Sequence, residues 1–213
     1  MIRILGTSHV SKDSINSINA AFKERIPEIV AVELDSQRLY ALQNNIKSSR
    51  SPNLIRQIGL AGYLFVLIGS WIQGKFGRFV GMNPGSEMLH AVKLASENNV
   101  PVALIDRPLV ITMKRFSKKF TFREKLRLFR DMIIPRRQKF SLDIRKVPED
   151  KLILEVMQMF KKSYPSLYAV LVSERDEYMA RNLAALASKD VLAVVGAGHV
   201  PGILEALTKA KAI

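Results

Sequence analysis

The sequence predicts an α/β fold, a mainly parallel central sheet of about four core strands flanked by helices, with a helical, basic insertion. Three observations lead there. Short apolar runs of strand length recur at 2–5, 29–34, 102–105 and 191–195. Helical periodicity fills the stretch between the first two runs and returns after the last. The excess of positive charge is confined to one segment rather than spread over the chain.

Ile2 to Leu5, ended by Gly6, reads as a buried first strand. Ser11 or Asp13 can cap the following helix, whose apolar positions Ile15, Ile18, Ala21 and Phe22 share one face until Pro27 stops it. Ile29 to Leu34 is the second strand, with Glu33 near its C-terminal end. Glu87 to Glu97 is helical, and Val102 to Ile105 is a third strand that runs into Asp106-Arg107-Pro108. Val191 to Val195 is the last strand, followed by Gly196-Ala197-Gly198-His199 and a helix from about Gly202 to Lys211. Strand, helical crossover and strand in succession is the pattern of a parallel sheet covered on both faces.

The 213 residues fit a single domain, 1–213, with helical insertions at about 52–80 and 108–188. The stretch 54–73 is strongly apolar, and no charge occurs from Gln57 to Gly74. It reads as a buried or homodimer-forming helix, or as a membrane-contacting hairpin. Phe120 to Ile134 reads as a basic amphipathic helix interrupted by Pro135-Arg136-Arg137, and Glu149 to Lys162 and Leu167 to Ala187 as two more helices.

Thirty-three Lys and Arg against nineteen Asp and Glu give a net charge of +14, and 114–146 holds thirteen of the bases but three of the acids. That segment interleaves Phe116, Phe120, Phe122, Phe129 and Phe140 with its cations, which suits an anionic membrane surface or a solvated helical face. No nucleic-acid-binding motif accompanies it, so nucleic acid is a disfavoured partner. The chain has no cysteine, which excludes disulfide frameworks, zinc-finger spacing and thiol catalysis and agrees with a reducing cytoplasm. The first apolar run is too short for a signal peptide, so the expected location is cytoplasmic, with membrane association open through the basic segment.

Two of the three histidines follow a glycine by three positions, Gly6-Thr7-Ser8-His9 and Gly196-Ala197-Gly198-His199. Each motif comes directly after a strand and before a helix. In open α/β sheets ligands bind beyond the strand C-termini, so both imidazoles are expected at one edge. Neutral imidazole is a common ligand for divalent metals, and Glu33 ends the second strand in the equivalent place. Two His and one carboxylate would hold a divalent metal ion with coordination positions open for water. His9 or Glu33 acting as a metal-free general acid or base is the other chemistry available. His90, inside a helix, reads as structural. The spacing of Gly196, Gly198 and Gly202 is GxGxxxG rather than GxGxxG, which rejects a dinucleotide loop.

Around these residues Arg38, Glu87, Arg107, Glu174, Arg175 and Arg181 are the charges expected to contact substrate or support the site. Glu87 also suits a helix N-terminus, and Glu177 with Arg181 suits a solvated i,i+4 pair.

The chain resembles the TraB/PrgY family, which is related to the Tiki proteases and more distantly to the erythromycin esterase and ChaN-like fold. The resemblance rests on Gly6-Thr-Ser-His9-Val-Ser, Val32-Glu33-Leu34-Asp35 with Arg38, Pro84-Gly85-Ser86-Glu87-Met88, Ile105-Asp106-Arg107, Glu174-Arg175-Asp176-Glu177-Tyr178-Met179 and Val195-Gly-Ala-Gly-His199-Val-Pro-Gly202. It covers nearly all of the chain. It implies an α/β fold and, by analogy with Tiki proteins, a metal-dependent peptidase site of His9, Glu33 and His199 acting on a peptide or small molecule. A non-catalytic peptide- or pheromone-binding protein, or a membrane-associated regulator, is the alternative it leaves open. Many members carry a membrane region after the second GxxH motif, whereas this chain ends fourteen residues beyond His199, as a soluble form or an excised domain would.

Overall fold

The computed structural model of the protein describes residues 1–7, 12–46, 85–133 and 149–211. His9, the apolar stretch 54–73 and the Pro135-Arg136-Arg137 break lie outside the described residues.

Four strands, β1 (Ile2–Thr7), β2 (Ile29–Val32), β3 (Val102–Leu104) and β4 (Val191–Gly196), form one sheet in the order β1-β4-β2-β3. All three pairings are parallel. Because β4 is central, its six residues are buried on both faces, which is why it reads as an unbroken apolar run.

Alternation along the strands divides the core into two layers. Val30, Val32, Leu192 and Val194 face α1 (Lys12–Glu24) and α3 (Ser86–Glu97), where Ile18, Phe22, Met88 and Ala91 pack against them. Ala31, Val191, Ala193 and Val195 face α8 (Glu174–Ala185) and α9 (Val200–Lys211), through Met179, Leu183 and Ile203. Between β2 and α3 lies the short α2 (Ser36–Gln43), capped by Asp35. His90 lies in α3 with its Nε2 2.8 Å from Asn19 Oδ1 of α1, a structural contact on the face away from α8 and α9.

The insertion after β3 is helical, as expected, with different breaks. The helix expected from Phe120 to Ile134 is present as α5 (Phe122–Ile133), and a further helix, α4 (Leu109–Lys119), precedes it. The chain turns at Thr121, whose backbone N–H and hydroxyl both donate to Glu124 while its Oγ1 accepts from the Glu124 N–H, a reciprocal capping box. After α6 (Glu149–Ser163) the expected helix from Leu167 to Ala187 becomes α7 (Pro165–Tyr168), a π-helical turn (Ala169–Ser173) and α8. Phe116, Phe120, Leu167 and Val170 tie α4 to α7 and the π turn in a satellite core. Among the described residues, no helix is long and apolar enough to cross a membrane.

Candidate functional site

Parallel strands bring all four C-terminal ends to one edge of the sheet, and the site is assembled there. The two GxxH loops leave from adjacent positions: Thr7 pairs with Gly196 in the β1–β4 register, and the Ala197 N–H donates to the Thr7 carbonyl over 2.9 Å. An ideal Cβ at Gly6 would lie 2.9 Å from a Val200 methyl and 3.2 Å from Ala197 Cα, so glycine lets the end of β1 lie against the second GxxH loop.

Glu33 follows β2 and is 4% exposed. Its Oε2 accepts from the Gly196 N–H at 2.7 Å, which binds it to the second GxxH loop. The other oxygen, Oε1, lies 3.3 Å from His199 Nε2. On its far side the His199 ring places Nδ1 2.5 Å from Asp176 Oδ1. Arg175 Nη1, which can only donate, lies 3.1 Å from Nε2. That contact assigns the tautomer: Nδ1 carries the proton and gives it to Asp176, and Nε2 presents its lone pair toward Glu33 and Arg175. Burial pushes the Asp176 carboxyl up, and its bond to His199 pulls the other way.

Gly202 makes room for this arrangement. A Cβ there would fall 2.0 Å from Asp176 Oδ2, so no side chain fits one turn along α9 from His199.

Arg175 is the hub. Its Nη2 donates to Glu33 Oε1 at 2.5 Å and to Asp106 Oδ2 at 2.7 Å, and its Nε donates to Asp106 Oδ1 at 3.0 Å. The bidentate fork on Asp106 fixes the guanidinium plane. Burial opposes the Arg175 charge, but the Asp106 and Glu33 carboxylates outweigh it and hold its pKa above the usual arginine value. Arg38 donates to Asp106 from the other side at 2.9 Å and keeps 39% of its side chain exposed. Asp35 accepts from the Leu109 N–H at 3.2 Å and so ties the β2 loop to α4.

Of the residues singled out in sequence, Glu33, His199, Arg175 and Arg38 therefore meet. Arg107 and Glu174 sit together but face away from this cluster. Arg107 donates to Glu174 Oε2, Thr112 Oγ1 and the Val170 carbonyl, and Glu174 also accepts from Arg115 at 2.5 Å and Lys119 at 2.7 Å. Burial would raise the Glu174 pKa, but bonds from these three cations override it and hold it down to about 2. Arg181 lies on the exposed side of α8, bonded to the Glu177 carbonyl, and Glu87 is buried in the first turn of α3.

Asp106 and Asp176 are the site residues that sequence reasoning missed. Asp106 carried a signal, since it follows β3 as Glu33 follows β2. Asp176 is one acid among several in a helix, and its role becomes visible only through its contact with His199 Nδ1.

The TraB/PrgY/gumN family model matches residues 1–212. An uncharacterized protein of Methanocaldococcus jannaschii is 36% identical over 98% of this chain and 53% of its own length. A TraB domain-containing protein from Homo sapiens and one from Mus musculus are each 28% identical over 95% of this chain and 61% of theirs. The chain thus spans between half and two thirds of the curated relatives it matches.

Proposed function

This chain belongs to the TraB/PrgY/gumN family, and on that premise we propose that it is a metal-dependent hydrolase acting on a peptide or amide bond at the C-terminal edge of its sheet. Glu33 and His199 would hold a divalent ion together with His9. The observation that carries the reading is the 3.3 Å between His199 Nε2 and Glu33 Oε1. Two donors each about 2.0–2.1 Å from one tetrahedral ion are separated by roughly this distance. The Asp176 contact to Nδ1 is the second support, since a ligating histidine characteristically gives its other N–H to a carboxylate.

Among the described residues no group of three His, Asp or Glu suited to a metal occurs, and the third ligand of this reading, His9, is taken from the first GxxH motif. A divalent ion there would supply a nucleophile from water near neutral pH and polarise the scissile carbonyl. The protein's own residues supply the rest. Asp176 keeps the His199 lone pair directed into the site, and the Gly196 N–H leaves only one Glu33 oxygen to turn toward it. Arg38, still partly exposed, would meet a substrate carboxylate at the rim.

A second reading is favoured by Arg175, whose guanidinium already engages the same Glu33 and His199 atoms. On that reading the cluster is a metal-free binding site in a non-catalytic peptide-binding or membrane-associated regulatory protein. Elemental analysis of the purified protein, with mass-spectrometric readout of a peptide library, separates the two. The hydrolase reading expects bound metal and cleavage products, both lost in His9→Ala, His199→Ala and Glu33→Gln. A protein that carries no metal, cleaves nothing and keeps its peptide ligand after both histidine changes is a binding module.

A further inference from the structure

The apolar stripe of α5 faces outward. In most globular proteins a strongly amphipathic helix turns its apolar side to the core. Here the inward positions are Glu124, 6% exposed and bonded to Thr121 and the Ser166 N–H, and Leu128, packed on the satellite core. On the opposite face Phe122 is 79% exposed and Leu126 is 59% exposed, one turn apart. In sequence, Phe129 and Ile133 continue the same spacing.

Cations border this stripe on both sides. Arg123, Arg127 and Arg130 follow one edge and Lys125 the other, all exposed. Among the described side chains of α4 and α5, eight Lys and Arg are exposed, and the one carboxylate, Glu124, is buried.

These charges choose between occupants. A second copy laid on this face by a two-fold axis would set one row of cations against the other, which is repulsive. The uncharged stretch from Gln57 to Gly74 could cover Phe122 and Leu126 but offers the cations nothing. Nucleic acid would pair with the cations and stack on Phe122, yet it leaves aliphatic Leu126 without a partner. An anionic lipid surface satisfies both halves, with phosphates and carboxylates for the Lys and Arg and the acyl boundary for Phe122 and Leu126.

We infer that α5 is an interfacial helix that docks this protein on anionic lipid bilayers, with Phe122 and Leu126 entering the acyl region and Arg123 and Arg130 on the headgroups.

The chain has no cysteine, so Leu126→Cys gives a unique attachment point for a polarity-sensitive dye. The labelled chain is mixed with vesicles of phosphatidylcholine alone, or of phosphatidylcholine and phosphatidylserine in equal amounts, and co-sedimentation of the unlabelled chain is followed in parallel. A blue shift and co-sedimentation with the serine lipid only, weakening as salt is raised, is expected. Phe122→Ser with Leu126→Ser should lower partitioning roughly tenfold or more, and Arg123→Gln about fivefold, with circular dichroism unchanged. A dye already blue-shifted in buffer would mean that protein covers this face. If that shift fades on dilution the cover is a second copy, and if it does not the cover is the chain itself; either result overturns the proposal. Equal binding to both vesicle types, binding to neither, or displacement from vesicles by an oligonucleotide overturns it as well.

Discussion

Two ionic clusters in this molecule are built from the same pair of dipeptides, Asp106-Arg107 and Glu174-Arg175. Asp106 and Arg175 turn inward to Glu33 and His199, while Arg107 and Glu174 turn outward to Arg115 and Lys119. The inner cluster sets three buried carboxylates, Glu33, Asp106 and Asp176, against two guanidiniums, Arg175 and Arg38. The outer one sets a single carboxylate against three cations, two of them about half exposed. Excess negative charge held out of water is costly and calls for another cation or a proton, whereas excess positive charge at a surface is met by solvent. The inner cluster therefore has the makings of a site, and the outer one of a brace between α4, α8 and the π turn.

The comparison can be broken at several points. Removing Arg175 should have the largest effect, because Arg175→Ala strands Glu33 and Asp106 without their shared partner. A loss of about 3–5 kcal/mol is expected in urea unfolding, and Arg175→Lys should recover only part of it, since an ammonium cannot reproduce the fork on Asp106. A loss below about 1 kcal/mol would show that water reaches the inner carboxylates.

Next comes Gly202→Ala. Its new methyl would overlap the Asp176 carboxylate, so overpacking should cost about 1–3 kcal/mol and shift the His199 ring resonances in NMR spectra. Asp176→Asn leaves the packing but weakens the hold on the His199 tautomer. On the hydrolase reading, metal affinity read by isothermal calorimetry should fall about 10–100-fold.

Glu174 sharpens the other side. Held to about 2, against 4.5 for an unperturbed group, it adds stability that is fully present above pH 4.5 and lost as the pH falls toward 2. In Glu174→Gln that part of the acid-induced loss should disappear from the pH dependence of urea midpoints. The penalty at neutral pH should stay at about 1 kcal/mol or less, because Arg115 and Lys119 are well solvated.

The four strands were legible because buried parallel strands are written as apolar runs, and Val191 to Gly196 is the plainest case. Their C-terminal limits were less so. Glu33 and Leu34 extend the run in sequence, but the chain turns there, with the Leu34 N–H bonded to the Val32 carbonyl, and that turn aims the carboxylate at Gly196. The start of α5 was legible to within two residues, and its cap is written locally as Thr121-Phe-Arg-Glu124, whereas α4 before it was hidden in the basic stretch. The widening into a π turn had no local signal. There the Leu171 carbonyl accepts from Arg175 four residues on, and the Val170 carbonyl accepts from Arg107, a partner that only the folded chain supplies. Pairing of Glu33 with His199 could be anticipated from strand-end logic. The intervention of Arg175 between them could not, because nothing in a helical sequence says which of its charges points at a distant strand.

The strand order also constrains when this protein can come into being. β4 is the last strand to leave the ribosome and the one that must slot between β1 and β2. Until it emerges, β2 has only β3 beside it and β1 has no partner strand in the sheet, and Glu33 has neither the Gly196 amide nor His199 to meet. Native pairing of β1, and of the β2 edge that faces it, therefore waits for Val191–Gly196 to emerge.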